Sequence, residues 1–213
     1  MVKQLINYGK TLPIPLGNTS RQLKTPLRMC ICGPSGCGKT NLLLNLIYDR
    51  LKWSNLYVYV KDTSEQKYTD LLEACEAAQA KVPFDYCITS DPDEMINIDD
   101  LTGDEHTIVV FDDFVTNKQL CEGPIADMFV RGRKKNVSTI FLTQSYFHTP
   151  KLIRLQCNYF ALFAPRDDRE ILQFYQSHNC GQDRKSFYKL FHDATRKPYS
   201  FLWIDKDNFV EFP

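Results

Sequence analysis

The octet Gly33-Pro34-Ser35-Gly36-Cys37-Gly38-Lys39-Thr40 sets the tightest limit on what this chain can fold into. It matches GxxxxGK[ST] without deviation, a pattern that works as the link between a buried strand and the first turn of a helix. The flanks supply both elements: the apolar run 27–32 leads directly into the octet, and the leucine-rich stretch 39–51 follows it. Glycines let the backbone curl until several N–H groups face one point, and the helix start adds the positive end of its dipole. A phosphate is the group such a loop holds. Lys39 is placed to reach the β- and γ-phosphates of a nucleotide, and Thr40 offers a hydroxyl to Mg²⁺. Nucleotide kinases, GTP switches, helicases and DNA pumps all use such a loop, so it leaves the function open.

Six further short runs rich in apolar, β-branched or aromatic residues occur at 55–60, 86–89, 107–111, 137–143, 158–164 and 200–204. Most are near-continuously apolar, as strands buried on both faces of a largely parallel sheet must be. Helical signals separate them. Residues 63–66 (TSEQ) resemble a capping box, and Tyr68, Leu71, Leu72 and Cys75 continue as an apolar stripe at helical spacing. Pro124 can open a helix with Ile125, Met128 and Phe129 on one face, and Thr149-Pro150 can open another. Two more helical stretches, near 168–177 and 183–193, precede the last strand. This alternation predicts a three-layer α/β domain with helices on both faces of a mostly parallel sheet. Residues 1–26, punctuated by Pro13, Pro15, Gly17 and Pro26, read as an N-terminal arm, and 27–213 as one domain.

Composition narrows the class. An apolar fraction of 43% with 13% aromatics fits a folded core and excludes disorder. Lys+Arg and Asp+Glu both number 26, so binding to a polyanion has to come from a local cluster. The chain shows no apolar leader and no apolar run long enough to span a bilayer. Its eight cysteines form no paired CxxC units. His106, His148, His178 and His192 are too widely spread for a metal site. A reduced, soluble, intracellular protein without a membrane span is expected.

Two strand ends add chemistry to the loop. The run TIVVFDDFV places Asp112 and Asp113 at the end of an apolar strand. The first carboxylate can hold Mg²⁺ through water. The second can orient or deprotonate an attacking water, or simply cap the following turn. Adjacent carboxylates on a buried strand are costly without a cation or a chemical role, which favours the catalytic assignment. In VSTIFLTQSYF, Gln144 tips another apolar strand, where a neutral amide can contact both the γ-phosphate and the attacking water. Alone it would be an ordinary polar strand cap; with the loop and the acid pair it indicates ATP hydrolysis.

The sequence of parts resembles the ATPases that insert a strand between the phosphate-loop strand and the acid strand, an insertion that nucleotide kinases and GTP switches normally lack. That resemblance puts 137–143 beside 27–32. The segment ADMFVRGRKKNVSTIFLTQSYFHTPKLIRLQCNYFALF makes the likeness specific. A helix ending in Gly-Arg plus basic residues, a strand ending Thr-Gln-Ser, then Pro, Ile-Arg and Asn is similar to the genome-packaging ATPases of large DNA viruses. These are the poxvirus-type members of the FtsK–HerA superfamily, with relatives in virophages and virus-like transposons. The resemblance covers roughly residues 27–165.

The resemblance implies an ATP- and Mg²⁺-dependent motor that moves double-stranded DNA into a preformed capsid. It also implies a homo-oligomeric ring, pentamer or hexamer, docked on a capsid or portal-vertex protein in the host-cell cytoplasm (the viral factory) or carried with the virion. Carried over by residue, the loop 33–40 binds the phosphates, with Lys39 and Thr40 as the phosphate and Mg²⁺ contacts. Asp112 and Asp113 match the acidic pair, and Gln144 the sensor. Arg133, in Gly132-Arg133-Lys134, matches a family Gly-Arg-His segment. It is the first candidate for an arginine finger entering a neighbouring subunit, with Arg131 and Arg154 as runners-up. The chain departs from the pattern at Lys134, where relatives often have His, and at Asp113, where much of the superfamily has Glu.

Physically, a trans finger accelerates phosphoryl transfer about 10³–10⁵-fold. The bland account of Arg131, Arg133, Lys134 and Lys135 is charge complementing a helix C-terminus or a solvated face. Lys134, Lys135 and the region 61–67 are candidate DNA contacts, and no separate DNA-reading module is visible. The alternatives are another DNA-directed ATPase (a helicase or conjugation-type pump) and an ATP-binding capsid-assembly switch. A small-molecule kinase would leave the Gln144 strand end without a role.

Overall fold

A computed structural model of the chain describes residues 23–178 and 182–206. The expected arm therefore lies almost wholly outside the described residues. Seven strands form one sheet: β1 (Arg28–Cys32), β2 (Asn55–Val60), β3 (Tyr86–Thr89), β4 (Thr107–Asp112), β5 (Val137–Thr143), β6 (Tyr159–Phe163) and β7 (Phe201–Asp205). The order is β3-β2-β4-β5-β1-β6-β7. The first six strands in that order run parallel, and β7 is antiparallel to β6. Every apolar run expected to be a strand is one, and β5 lies between β1 and β4 as the resemblance implied.

The helices are α1 (Lys39–Asn45), α2 (Gln66–Gln79), α3 (Lys118–Glu122), α4 (Pro124–Arg131), α5 (Lys151–Gln156), α6 (Asp168–Ser177) and α7 (Arg184–Ala194). Alternate strand residues feed two cores, one on each face of the sheet, because successive side chains of a strand point opposite ways. Met29, Ile31, Val58, Ile108 and Ile140 pack with Leu43 of α1 and Leu71 of α2. Cys30, Val109, Phe111, Phe141 and Phe160 pack with Phe129 of α4, Phe174 of α6 and Phe187 of α7. Both faces are thus covered, and the strands can be apolar throughout. The result is the three-layer arrangement that the alternation predicts.

Two local expectations change. The leucine-rich helix expected over 39–51 becomes α1 followed by a π-turn at Leu46–Arg50, where the Leu51 N–H reaches back five residues to the Leu46 carbonyl. The capping box at 63–66 does not form. Ser64 N–H donates to Asp62 Oδ1 at 2.8 Å, and α2 starts at Gln66 without a side-chain cap. The Gln66 side chain, which would close the box, instead donates its amide to Asp70 Oδ1 at 2.7 Å, while the stripe below it holds: Tyr68, Leu71 and Cys75 are buried and Leu72 is half-buried.

Candidate nucleotide site

Because β1, β4 and β5 are parallel neighbours, their carboxyl ends open onto one edge of the sheet, where open α/β sheets bind ligands. The octet leaves β1 there and curls into α1. A Cβ on Gly33 would lie 2.6 Å from Phe163 Cβ and 2.8 Å from Cys37 Sγ, so a larger residue would push the loop off the sheet. Gly38 has φ 108° at the cap of α1, a left-handed conformation that glycine adopts without strain. Lys39 Nζ donates to the carbonyls of Gly33 (2.8 Å) and Pro34 (3.1 Å), folded back over the loop it would serve. Burial pushes the Cys37 thiol above its ordinary value and Cys30 and Cys32 well above it, so these crowded cysteines pack as small hydrophobes.

Asp112 ends β4 facing this loop. Its carboxylate accepts a hydrogen bond from the phenol of Tyr68 on α2, and the Thr40 hydroxyl interacts with the same phenol. Burial pushes the Asp112 carboxyl above its ordinary value, opposed by the Tyr68 hydrogen bond and the Lys39 charge. Asp113 follows in a left-handed conformation, φ 63°, with its N–H bonded to the Leu142 carbonyl at 3.2 Å. That backbone is uncommon for a residue with a Cβ, and it turns the Asp113 carboxylate toward β5. There Gln144 Nε2 donates to Asp113 Oδ2 at 3.2 Å. Loop, acid pair and glutamine therefore line one cleft of about 1880 Å³.

The donor set fits Mg²⁺. The Thr40 hydroxyl and the Asp112 carboxylate are hard oxygen donors brought around one phenol oxygen, suited to hold the ion directly or through water, and the carboxylate is held where burial disfavours its charge. Among the described residues no cluster of three or more His, Cys, Asp or Glu side chains could hold a metal unaided. Phosphate oxygens and waters would have to complete the shell, as is usual for this ion.

The expected finger and its runners-up lie elsewhere. Arg133 is exposed on the turn Gly132–Lys135 that leads into β5, at the amino edge of the sheet. β5 is 7 residues long, so roughly 20 Å of strand separates that turn from Gln144. Arg131 pairs with Asp99. The Arg154 guanidinium stacks 4.8 Å over the Tyr146 ring, with Nε and Nη1 buried and lacking a hydrogen-bond acceptor among the described residues. Lys134 is exposed, while Lys135 Nζ donates to the Leu101 carbonyl at 2.8 Å. His106 and His178 are tied to Ser138 and Tyr146 and face no common point.

Three further contributors carry no functional motif in the sequence. In the sequence Tyr68 reads only as part of an apolar stripe. Glu170 Oε1 accepts from Ser145 Oγ at 2.5 Å and Oε2 from Phe147 N–H at 2.8 Å, which pins the segment after Gln144 to α6. Tyr199 lies beside Gly38, in a turn that carried no motif. A carboxylate at the start of a helical stretch was the only signal for Glu170.

Strand order and loop together define a P-loop NTPase fold of the strand-inserted class. Within that class the chain belongs to a particular family, the one described as Poxvirus A32 protein, which it matches over residues 18–211. It is 27% identical over 161 residues to the DNA packaging protein OPG160 of Variola virus, covering 66% of this chain and 54% of that one. The chain thus spans about half the length of the curated relatives it matches. Among solved structures it is similar to the genome packaging NTPase B204 of Sulfolobus turreted icosahedral virus 2 in complex with AMP. The TM-score is 0.60 at 15% identity, over 88% of this chain and 96% of that one. The same NTPase in complex with ATP-gammaS gives 0.57 at 15% identity, with the same coverage of each chain. Among the described residues no helix is long and apolar enough to cross a membrane.

Proposed function

We propose that this chain is an ATP-hydrolysing motor subunit that drives double-stranded DNA into preformed capsids. The observation that carries the reading is the convergence, on adjacent parallel strand ends, of the phosphate loop, the Asp112–Asp113 pair and Gln144 bonded to Asp113. The names of the Variola relative and of B204 support the DNA-packaging assignment.

In this reading residues 33–40 cradle the phosphates, and Lys39 swings from the Gly33 and Pro34 carbonyls onto the β- and γ-phosphates. Thr40, and Asp112 through water, would hold Mg²⁺, which when bound would supply charge neutralisation for phosphoryl transfer. Asp113 orients the attacking water and accepts its proton. Gln144 positions the same water against the γ-phosphate, and its bond to Asp113 keeps the two groups within one water's reach. Arg133 stands too far from the site of its own chain to serve it, so its role as a finger requires a neighbour in a ring of five or six subunits. Such a ring would dock on a capsid or portal-vertex protein, in the cytoplasmic viral factory or in the virion. Its grip on DNA would run through phosphates, with strong salt dependence.

ATP turnover by the whole chain with blunt double-stranded or single-stranded DNA tests the reading. Double-stranded DNA should stimulate it; stimulation by single strands alone would point to a helicase. Asp113→Asn should reduce turnover about 10²-fold or more while nucleotide binding persists. Undiminished turnover would remove Asp113 from the mechanism, and a wild-type chain that binds ATP without hydrolysing it would be an assembly switch.

A further inference from the structure

The cleft has a second wall that none of the proposed roles uses. β7 runs antiparallel to β6, with Phe201 opposite Phe163, so β7 begins at the same edge where β1 releases the phosphate loop. The turn between α7 and β7 is therefore delivered beside that loop. It is tightly built: Ser200 N–H donates to the Lys197 carbonyl at 3.1 Å, Ser200 Oγ donates to the same carbonyl at 2.6 Å, and Lys197 N–H donates back to Ser200 Oγ at 3.2 Å. Pro198 and Tyr199 occupy the two central positions. Tyr199 has φ 62°, a conformation that turns of this kind normally give to glycine or asparagine.

This unusual backbone presents an aromatic ring to the cleft. Tyr199 is 66% exposed, so packing within the chain does not account for holding a large side chain there. Its Cδ1 stands 3.5 Å from where a Cβ on Gly38 would be, with Phe163 Cε1 at 3.7 Å on the same side. Arg196, Lys197, Asn41 and Asn45 line the cleft around it. A strained residue displayed at a ligand cleft is the kind of outlier from which function is argued. The ring lies against the phosphate loop from the β6–β7 side, whereas Asp113 and Gln144 stand at the ends of β4 and β5 on the other side of β1.

We infer that Tyr199 is the base-stacking platform of this site, holding the aromatic nucleobase of the triphosphate while the octet holds its phosphates. The inference rests on the nucleotide-site reading above and adds the residue that distinguishes a nucleotide from a bare polyphosphate. Stacking of a base on an aromatic side chain accounts for about 5- to 150-fold in affinity.

The test uses the full chain and two probes, Mg²⁺–ATPγS and Mg²⁺–tripolyphosphate, with dissociation constants from calorimetry. Tyr199→Asn suits the turn's left-handed backbone and so retains the fold; Tyr199→Phe keeps the ring. Tyr199→Asn should weaken ATPγS at least about fivefold and leave tripolyphosphate within about twofold, and Tyr199→Phe should bind both as the wild type does. Unchanged ATPγS affinity in Tyr199→Asn, equal loss for both probes, or failure of Tyr199→Phe to retain affinity would overturn the inference. A wild-type chain that binds neither probe would overturn the nucleotide-site reading itself, and the stacking role with it.

Discussion

Removing one oxygen atom, in Tyr68→Phe, tests how the acid at the end of β4 is held. Tyr68 is 1% exposed, and its ring packs in the core on the α1–α2 face of the sheet, so phenylalanine preserves the packing. What disappears is the hydroxyl that donates to Asp112. A hydrogen bond to a charged group contributes about 1.5–3 kcal/mol, and Asp112 sits where burial already disfavours its charge, so we expect a loss of about 2 kcal/mol at neutral pH. For a domain of this size that corresponds to a fall in Tm of about 4–8 °C.

The pH dependence has a definite sign. Asp112 has a folded-state pKa raised above its ordinary value of 3.8, so the folded state binds its proton more tightly than the unfolded chain does. The resulting destabilisation is absent below the unfolded value, grows as pH rises toward the folded value, and is constant above it. The Tyr68 hydrogen bond lowers the folded pKa, so its loss enlarges the destabilisation. The deficit of Tyr68→Phe should therefore be largest at neutral pH and shrink in acid. Thermal melts with and without Mg²⁺–ATPγS provide the assay. A cation between Thr40 and Asp112 would replace the lost donor, so the ligand should narrow the gap between variant and wild type. A variant melting like the wild type, or a gap unaltered by the ligand, would refute the reasoning.

Lys39→Ala should abolish ATP turnover, and mixing it with Arg133→Ala subunits should restore part of it wherever an intact loop meets an intact finger; assembled mixtures without recovery would exclude Arg133 as a trans finger. Glu170→Gln should lower kcat about tenfold or more with little change in nucleotide affinity, because it loosens the Ser145 and Phe147 contacts behind Gln144 and leaves the octet alone; an equal fall in affinity would contradict that division. Burial lowers the His178 pKa from 6.5 to about 4, so the unfolded chain takes up a proton first as pH falls. Stability should decline between about pH 6.5 and 4 by up to about 3 kcal/mol from this group, and urea titrations of His178→Phe should show a shallower acid limb.

The strands were legible because burial on both faces leaves a mark in the sequence that depends on nothing distant: β5 is apolar or β-branched at nearly every position, and it is a strand. The octet was legible for a similar reason, since its backbone geometry demands glycine at fixed spacings. Asp112, Asp113 and Gln144 could be placed at strand ends, but their meeting depended on sheet order. That came from a family likeness, since periodicity cannot give it. Tyr68 was hidden because its apolar ring satisfies a helical stripe while only its hydroxyl reaches the site. Helix caps were hardest to read: residues 63–66 had the right letters for a box, yet the Gln66 side chain bonds forward to Asp70 on its own helix.

Inserting β5 between β1 and β4 has a consequence for how the site can be timed. Were β4 beside β1, Asp113 would face the loop directly, and no third strand end could stand between acid and phosphate. With β5 interposed, Gln144 projects between them, and its position answers to two groups: Asp113 in front and, through Ser145 and Phe147, Glu170 behind. Glu170 belongs to α6, whose Phe174 packs in the core on the sheet face away from α1. A shift of α6 against the sheet would move Gln144, while the octet, anchored by Gly33 against Phe163, would stay in place. Hydrolysis could then change without release of nucleotide, which is the separation of binding from turnover that the Glu170→Gln kinetics would reveal.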